Sequence, residues 1–269
     1  MAYHGHNQRA DFRSNKQKPI GVITRGTTGV NRLRKCDRWV FYTPTLHATL
    51  RQPGALALDV GYGASYTTTV EWARWLRKIN PSIKVTGLEI DPARVLPPRD
   101  GVTFELGGFE LCGYRPQLVR AFNVLRQYDV DQVHDAWTTV CTRLADDGMF
   151  IEGTCDEQGK RATWIFLNRQ GPQSLTLAWN PWELNRPSEI AERLPKILIH
   201  RNVPGEAIHS FLMEADRCWD RASSYEAFGP RVRWFHAHSL LRNFYPVSRP
   251  RLRRDNLVTI PWELIAPVD

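Results

Sequence analysis

The chain is short of cysteine, with five in 269 residues at Cys36, Cys112, Cys141, Cys155 and Cys218. The number is odd, the spacing is wide and no Cys-x-x-Cys pair occurs. Neither a disulfide framework nor a zinc site is indicated, and buried thiols are expected. Long apolar runs are missing as well. No segment approaches the ~20 residues that span a bilayer, and the N-terminus has no apolar signal core, so the expectation is a cytoplasmic protein with no membrane attachment. There is no internal repeat and no linker long enough to force a second domain. Charge is not lacking: 36 Lys and Arg against 28 Asp and Glu leave +8, a moderate bias toward an anionic partner. A hydrophobic content of 42% suits a soluble domain with a sizeable core.

The stretch from Gly54 to Val95 organises what is present. Ala55-Leu56-Ala57-Leu58 is a short apolar run that passes through Asp59-Val60-Gly61-Tyr62-Gly63-Ala64-Ser65 into a helical pattern of Val70, Trp72, Ala73, Trp75, Leu76 and Ile79. Asn80-Pro81 ends that helix. Lys84 to Ile90 is a second strand that delivers Glu89 at its carboxyl end, and Asp91-Pro92 turns the chain away. Strand, glycine turn, helix and strand make a right-handed βαβ unit, in which ligands bind beyond the carboxyl ends of the strands. Gly61 and Gly63 let the backbone approach a ligand closely. Glu89 is suited to accept two hydrogen bonds from a ribose diol, which points to an adenosine-containing cofactor.

The α/β rhythm continues beyond it. Val102 to Leu106 reads as a third strand, Leu118 to Leu125 as a fourth, Asp131 to Leu144 as a helix and Met149 to Cys155 as a fifth strand. Arg161 to Asn168 and Ser174 to Asn180 read as a β-hairpin, Ser188 to Arg201 and Glu206 to Ala222 as helices, and Val232 to Phe235 as a further strand. Upstream, a helix is expected from Val30 to Tyr42, capped by Thr28, with Leu33, Cys36, Trp39 and Val40 inward and a basic outer face of Arg32, Arg34, Lys35 and Arg38. Met1 to Lys18 is polar, basic and aperiodic, and reads as a mobile tail. The expected fold class is therefore α/β: a doubly wound, mostly parallel Rossmann-like sheet with an antiparallel C-terminal hairpin and added C-terminal helices.

A dinucleotide fingerprint wants Gly or Ala at position 66, where this chain has Tyr66, and an acid earlier than Glu89. Asp59 opening the turn, with the second acid in Gly87-Leu88-Glu89-Ile90-Asp91-Pro92, instead resembles the class I S-adenosylmethionine-dependent methyltransferases. The resemblance covers about Gly54 to Cys155. Arg25-Gly26-Thr27-Thr28, Asn123 to Tyr128, Glu152 to Glu157 and Asn202 to Glu206 look like an uncharacterised group of methyltransferase-like proteins. It implies that residues 54–180 form a cofactor-binding core, 19–53 a lid segment and 181–269 an extension of the same domain. It assigns S-adenosylmethionine to Asp59, Gly61, Tyr62, Gly63, Glu89 and Ile90, with adenine near Gly108 and Phe109 or Glu110. Arg38 or Thr28 would reach the carboxylate. Ser65 stands where many members have a third glycine, and Gly108 where many have an Asp.

Methyl transfer from a sulfonium needs alignment and, at most, removal of one proton, so no triad or metal is required. Asn123, Arg126 and Tyr128, at the end of the fourth strand, are the catalytic candidates, with His200, Arg201 and His209 in reserve. Asn123 is not in the Asn/Asp-Pro-Pro-Tyr motif of enzymes that methylate nucleic-acid amino groups. Three functions stay open. A small-molecule acceptor is favoured; RNA would use the basic segments, including Arg249, Arg251, Arg253 and Arg254; a non-catalytic binder would keep only the cofactor. The oligomeric state is left open.

Overall fold

The computed structural model describes residues 19–23, 28–250 and 256–268. The basic tail, most of the Arg25 to Thr28 phrase, and Arg251, Arg253 and Arg254 lie outside the described residues.

Strands β1 (Leu56–Val60), β2 (Lys84–Glu89), β3 (Val102–Leu106), β4 (Leu118–Phe122) and β5 (Met149–Cys155) form the parallel half of one sheet. Strands β6 (Ala162–Asn168), β7 (Gly171–Ala178) and β8 (Leu257–Pro261) continue it as an antiparallel meander. The order is β3-β2-β1-β4-β5-β6-β7-β8. This is the doubly wound order, with its switch point between β1 and β4. Every residue of β1, β4 and β5 is buried, as expected for strands covered on both faces.

Alternation along β1 divides the core. Leu56, Leu58 and Val60 pack toward the side holding α4 (Val130–Arg143), α5 (Lys196–Ile199), α6 (Ala207–Arg221) and α7 (Pro230–Leu241). Ala55 and Ala57 face the other side, with α1 (Arg34–Phe41), α2 (His47–Leu50) and α3 (Thr67–Leu76). The result is an α/β/α sandwich. Helix α4 begins at Val130, one residue ahead of the expected Asp131, because Asp129 caps it: the Asp129 side chain takes the N3 backbone N–H, and Gln132 returns to the Asp129 backbone.

Several expectations require correction. The first helix starts at Arg34, and Leu33, not Thr28, holds the capping position. Asn31 adopts φ +61 and its N–H meets the Glu71 carboxylate at 3.0 Å, so a turn occupies the residues read as the first helical turn. Val232 to Phe235 is helix, not strand. Pro230 stands at the first helical position of α7, and Trp234, Ala237, His238 and Leu241 supply a buried stripe spaced by three and four. The stretch from Ser188 to Arg201 splits into a 3₁₀ run, Pro187–Arg193, and the single turn of α5. Strand β8 was not anticipated, although Val258 and Ile260 are buried in alternation with Thr259. Strand β4 stops at Phe122 because Asn123 takes φ +60. Four of the five cysteines are buried, Cys112 is partly exposed, and all are free.

Candidate functional site

The glycine turn sits where β1 runs out of ladder partners. Gly61 has φ +71 and Gly63 φ +80, in the region that a side chain resists. A Cβ on Gly61 would lie 2.5 Å from a Val124 methyl, so only glycine lets β1 and β4 open at this height. The Gly61 N–H donates to the Leu88 carbonyl at 2.8 Å, and the Gly63 N–H to Glu89 Oε2 at 3.0 Å. Glu89 Oε1 accepts from the N–H groups of Ile90 and Asp91 at 3.0 and 3.2 Å. Glu89 is therefore a buried carboxylate oriented by three backbone donors at the mouth of the sheet. Tyr62 is spent on positioning: its hydroxyl donates to the Arg94 carbonyl and accepts from Leu96 N–H.

Two spaces flank this turn. A cavity of about 940 Å³ opens on one side, lined by Asp59, Gly61, Tyr62 and Gly63, by Thr28 and Arg32 from the N-terminal segment, and by Asn123, Arg126 and Arg193. On the other side a crevice of about 20 Å³ is bordered by Gly61, Glu89, Ile90, Gly108, Phe109 and Tyr128, together with Ile20 to Val22. Of the sequence candidates, Asn123 and Arg126 reach the cavity and Tyr128 the crevice. Arg38 reaches neither, and its guanidinium lies 5.7 Å from the Tyr42 ring centroid. His200, Arg201 and His209 do not line either space; Arg201 pairs with Glu206 at 2.9 Å, and His209 Nδ1 lies 3.2 Å from Asn202 Oδ1. Arg249 borders a separate groove, against Trp39 and Tyr42.

Asn123 has a mainly mechanical part. Its Oδ1 accepts the Cys155 N–H at 2.9 Å and its Nδ2 donates to the Cys155 sulfur at 3.3 Å, tying β4 to β5. Asp59 is likewise committed. Arg120 Nε and Nη2 donate to its two oxygens at 3.0 and 2.6 Å, and Thr69 adds a bond of 2.8 Å. Arg120 Nη1 reaches Asp37 on α1 at 2.6 Å, and the guanidinium lies 4.3 Å from the Trp72 ring centroid. One fully buried cation thus ties α1, β1 and α3 together directly beneath the turn. Burial pushes the Asp37 carboxyl up to about 7 against the pull of Arg120, with Asp59 adding to the rise. Sequence reading assigned no role to Arg120, Asp37 or Arg193. A lone Arg inside an apolar strand was the available signal for Arg120.

The N-terminal strap crosses the crevice by backbone bonds. The Ile20 carbonyl accepts from Phe109 N–H at 2.9 Å, and the Ile20 N–H donates to Glu110 Oε2 at 2.6 Å. The Val22 N–H donates to the Tyr128 hydroxyl at 2.5 Å. Glu110 Oε1 accepts from Gly108 N–H at 2.8 Å, which fixes the carboxylate. Among the described residues no group of three or more acidic, His or Cys side chains is placed to hold a metal, and no helix is long and apolar enough to cross a membrane.

The sheet order and the glycine turn define a doubly wound α/β protein with an open crevice at its switch point. No family model matches the chain, and no curated protein matches it. Solved structures resemble it in part. One is a cyclopropane synthase from Mycobacterium tuberculosis, at 17% identity over 41% of each chain with a TM-score of 0.30. Another is the plantazolicin methyltransferase in complex with SAH, at 10% identity over 47% of this chain and 49% of that one, TM-score 0.35. A third is the magnesium protoporphyrin IX methyltransferase from Synechocystis PCC 6803 with bound SAM, at 19% identity over 49% and 67%, TM-score 0.31. The likeness spans under half the length of the first two.

Proposed function

We propose that this chain is an S-adenosylmethionine-dependent methyltransferase whose acceptor is a small molecule bound in the cavity beside the Gly61 turn. The observation that carries the reading is the buried Glu89 carboxylate at the end of β2, hydrogen-bonded to the Gly63 N–H of a turn that only glycine can make. Such a carboxylate, already oriented by backbone donors, keeps lone pairs for a ribose diol.

The residues beyond it suit an adenine edge. Phe109 offers a backbone donor and Glu110 an acceptor, as their bonds to Ile20 display, and Ile90 and Phe109 supply apolar flanks. The methionine end would lie along Gly61 to Gly63, near Thr28 and Arg32. When bound, the cofactor supplies a methyl group already activated on a sulfonium. The protein's part is to align the acceptor and exclude water, which requires no acid or base at the reacting centre when the nucleophile arrives unprotonated. A cavity of about 940 Å³ matches the size of small-molecule sites, which favours a small acceptor over RNA.

Removing Glu89 tests the reading. A charge-assisted hydrogen bond is worth roughly 1.5 to 3 kcal/mol, so Glu89→Ala is expected to weaken S-adenosylhomocysteine binding about 10- to 100-fold in calorimetry. Unchanged affinity in a folded variant, or no binding to the wild type, would remove the cofactor from the account.

A further inference from the structure

The charges of the large cavity do not all cancel. Asp59 is taken by Arg120, Glu183 by Lys160 at 2.7 Å, and the Asp156 carboxylate by the N–H groups of Lys160 and Arg161. Arg94 pairs with Asp91 at 3.2 Å, and Arg32 and Glu157 complete the charged lining. Arg126 and Arg193, on the same wall, have no ion pair among the described residues, and Arg126 Nη1 is buried without a hydrogen-bond partner. A buried donor of that kind costs free energy until something accepts from it. We propose, on the basis of the methyl-transfer reading, that the acceptor carries a carboxylate or phosphate which Arg126 and Arg193 bind. Guanidinium groups match such oxyanions by paired donors. Burial lowers the Arg126 pKa and the Arg193 charge lowers it further, against Glu192, so an anion arriving there relieves an existing repulsion.

Inorganic phosphate and benzoate serve as probes in thermal unfolding at matched ionic strength. Either or both should raise the wild-type melting temperature by a few degrees, and the one that does identifies the acceptor chemistry. Arg193→Met should melt higher than wild type in chloride, because it removes the like charge, and should lose the rise given by the probe. Its backbone carbonyl, which accepts from Thr154 and Thr163, is untouched. Arg126→Met should lose the rise too. No rise with either probe, or an equal rise in wild type and both variants, overturns the proposal. Calorimetry with S-adenosylhomocysteine on the same samples tests the cofactor separately: no anion effect in the wild type with cofactor binding intact removes this proposal and leaves methyl transfer standing.

A second inference comes from the strap. Ile20 presents one acceptor and one donor to Phe109 N–H and Glu110, the same polarity as the edge of an adenine ring, and Gly21 lies between Ile90, Phe109 and Tyr128. With only about 20 Å³ left in that crevice, the two cannot be accommodated together. We infer, on the basis of the cofactor reading, that Ile20 to Val22 competes with adenine for this position and is displaced on binding. A site open for only a fraction of the time binds with its affinity reduced by that fraction.

Gly21→Ala discriminates. Gly21 has φ +148, and a Cβ there would lie 2.9 Å from the Tyr128 oxygen and 3.3 Å from an Ile90 methyl, so the docked strap is strained while no proposed cofactor contact is lost. S-adenosylhomocysteine is expected to bind this variant about threefold or more tightly than wild type. Amide exchange at Ile20 and Val22, protected in the free protein, should accelerate at saturating ligand. Equal affinity in both proteins, or protection retained in the saturated complex, overturns the inference and leaves the cofactor reading intact. Failure of both proteins to bind removes the cofactor reading and this inference together.

Discussion

Replacing Arg120 by methionine is expected to lower the unfolding free energy by about 3 to 5 kcal/mol, the usual cost of stripping one partner from a buried ion pair. Methionine fills much of the space, so the loss measures charge rather than a cavity. Arg120 is fully buried and donates to Asp37, to both Asp59 oxygens and to the Thr68 carbonyl. Without it two carboxylates remain inside the protein with no cation between them. For a chain of this size each kcal/mol moves the midpoint by roughly 2 to 4 °C, so a fall of about 6 to 20 °C is expected in a thermal melt at pH 7.5. Burial already pushes the Asp37 carboxyl up to about 7, so protonating it offsets part of the defect, and the gap to wild type should narrow toward pH 5. A melt within a degree or two of wild type at pH 7.5 would show that the three groups are not coupled as the distances imply.

Glu152→Gln is expected to stabilise the protein increasingly as pH rises. Glu152 lies on β5, 1% exposed, with neither oxygen hydrogen-bonded among the described residues, and burial pushes its pKa from 4.5 up to about 8. The folded-state value is raised, so the contribution of this group to stability is fully present below about 4.5 and is lost as pH climbs toward 8. Across that window the folded state binds a proton that the unfolded state has released, which costs about 1.4 kcal/mol per pH unit. Glutamine never ionises. Its own burial cost is independent of pH, so the variant-minus-wild-type difference should rise with pH at close to that slope and flatten below about 4.5. Urea midpoints at pH 5, 6, 7 and 8 measure it directly. Parallel curves for the two proteins would mean that Glu152 is ionised or solvated in the native state.

Much of the site was legible because its signals are local. Gly61 and Gly63 announce a backbone that must turn sharply, and Glu89 stands at the end of an apolar run, where a charge has to face outward from the sheet toward whatever the turn holds. Ile90, Gly108 and Phe109 fall in the loops beyond β2 and β3 and so gather at the same edge. The reading weakened where one residue had two available partners. Asp59 looked like a group for the cofactor, whereas its oxygens meet Arg120 and Thr69. Tyr128 looked like a substrate contact, whereas its hydroxyl takes the Val22 N–H. Val232 to Phe235 has strand-like composition, and helix packing of Trp234 and Leu241 overrode it.

The sequence alone determined the alternation of strands and helices from Gly54 to Cys155, the place of the glycine turn and the carboxylate that faces it. Those features arise from side-chain period and backbone freedom among residues a few positions apart. Only the tertiary structure decided what the polar groups are bonded to. Arg120 finds Asp37 83 residues away and Asp59 61 away; Ile20 reaches Glu110 across 90 residues, and Val22 reaches Tyr128 across 106. A donor in a folded chain is claimed by whichever acceptor the packing of the sheet brings within 3 Å, and no period in the sequence encodes that distance. The same is true of Arg126 and Arg193, which come from β4's end and the C-terminal extension to one cavity wall.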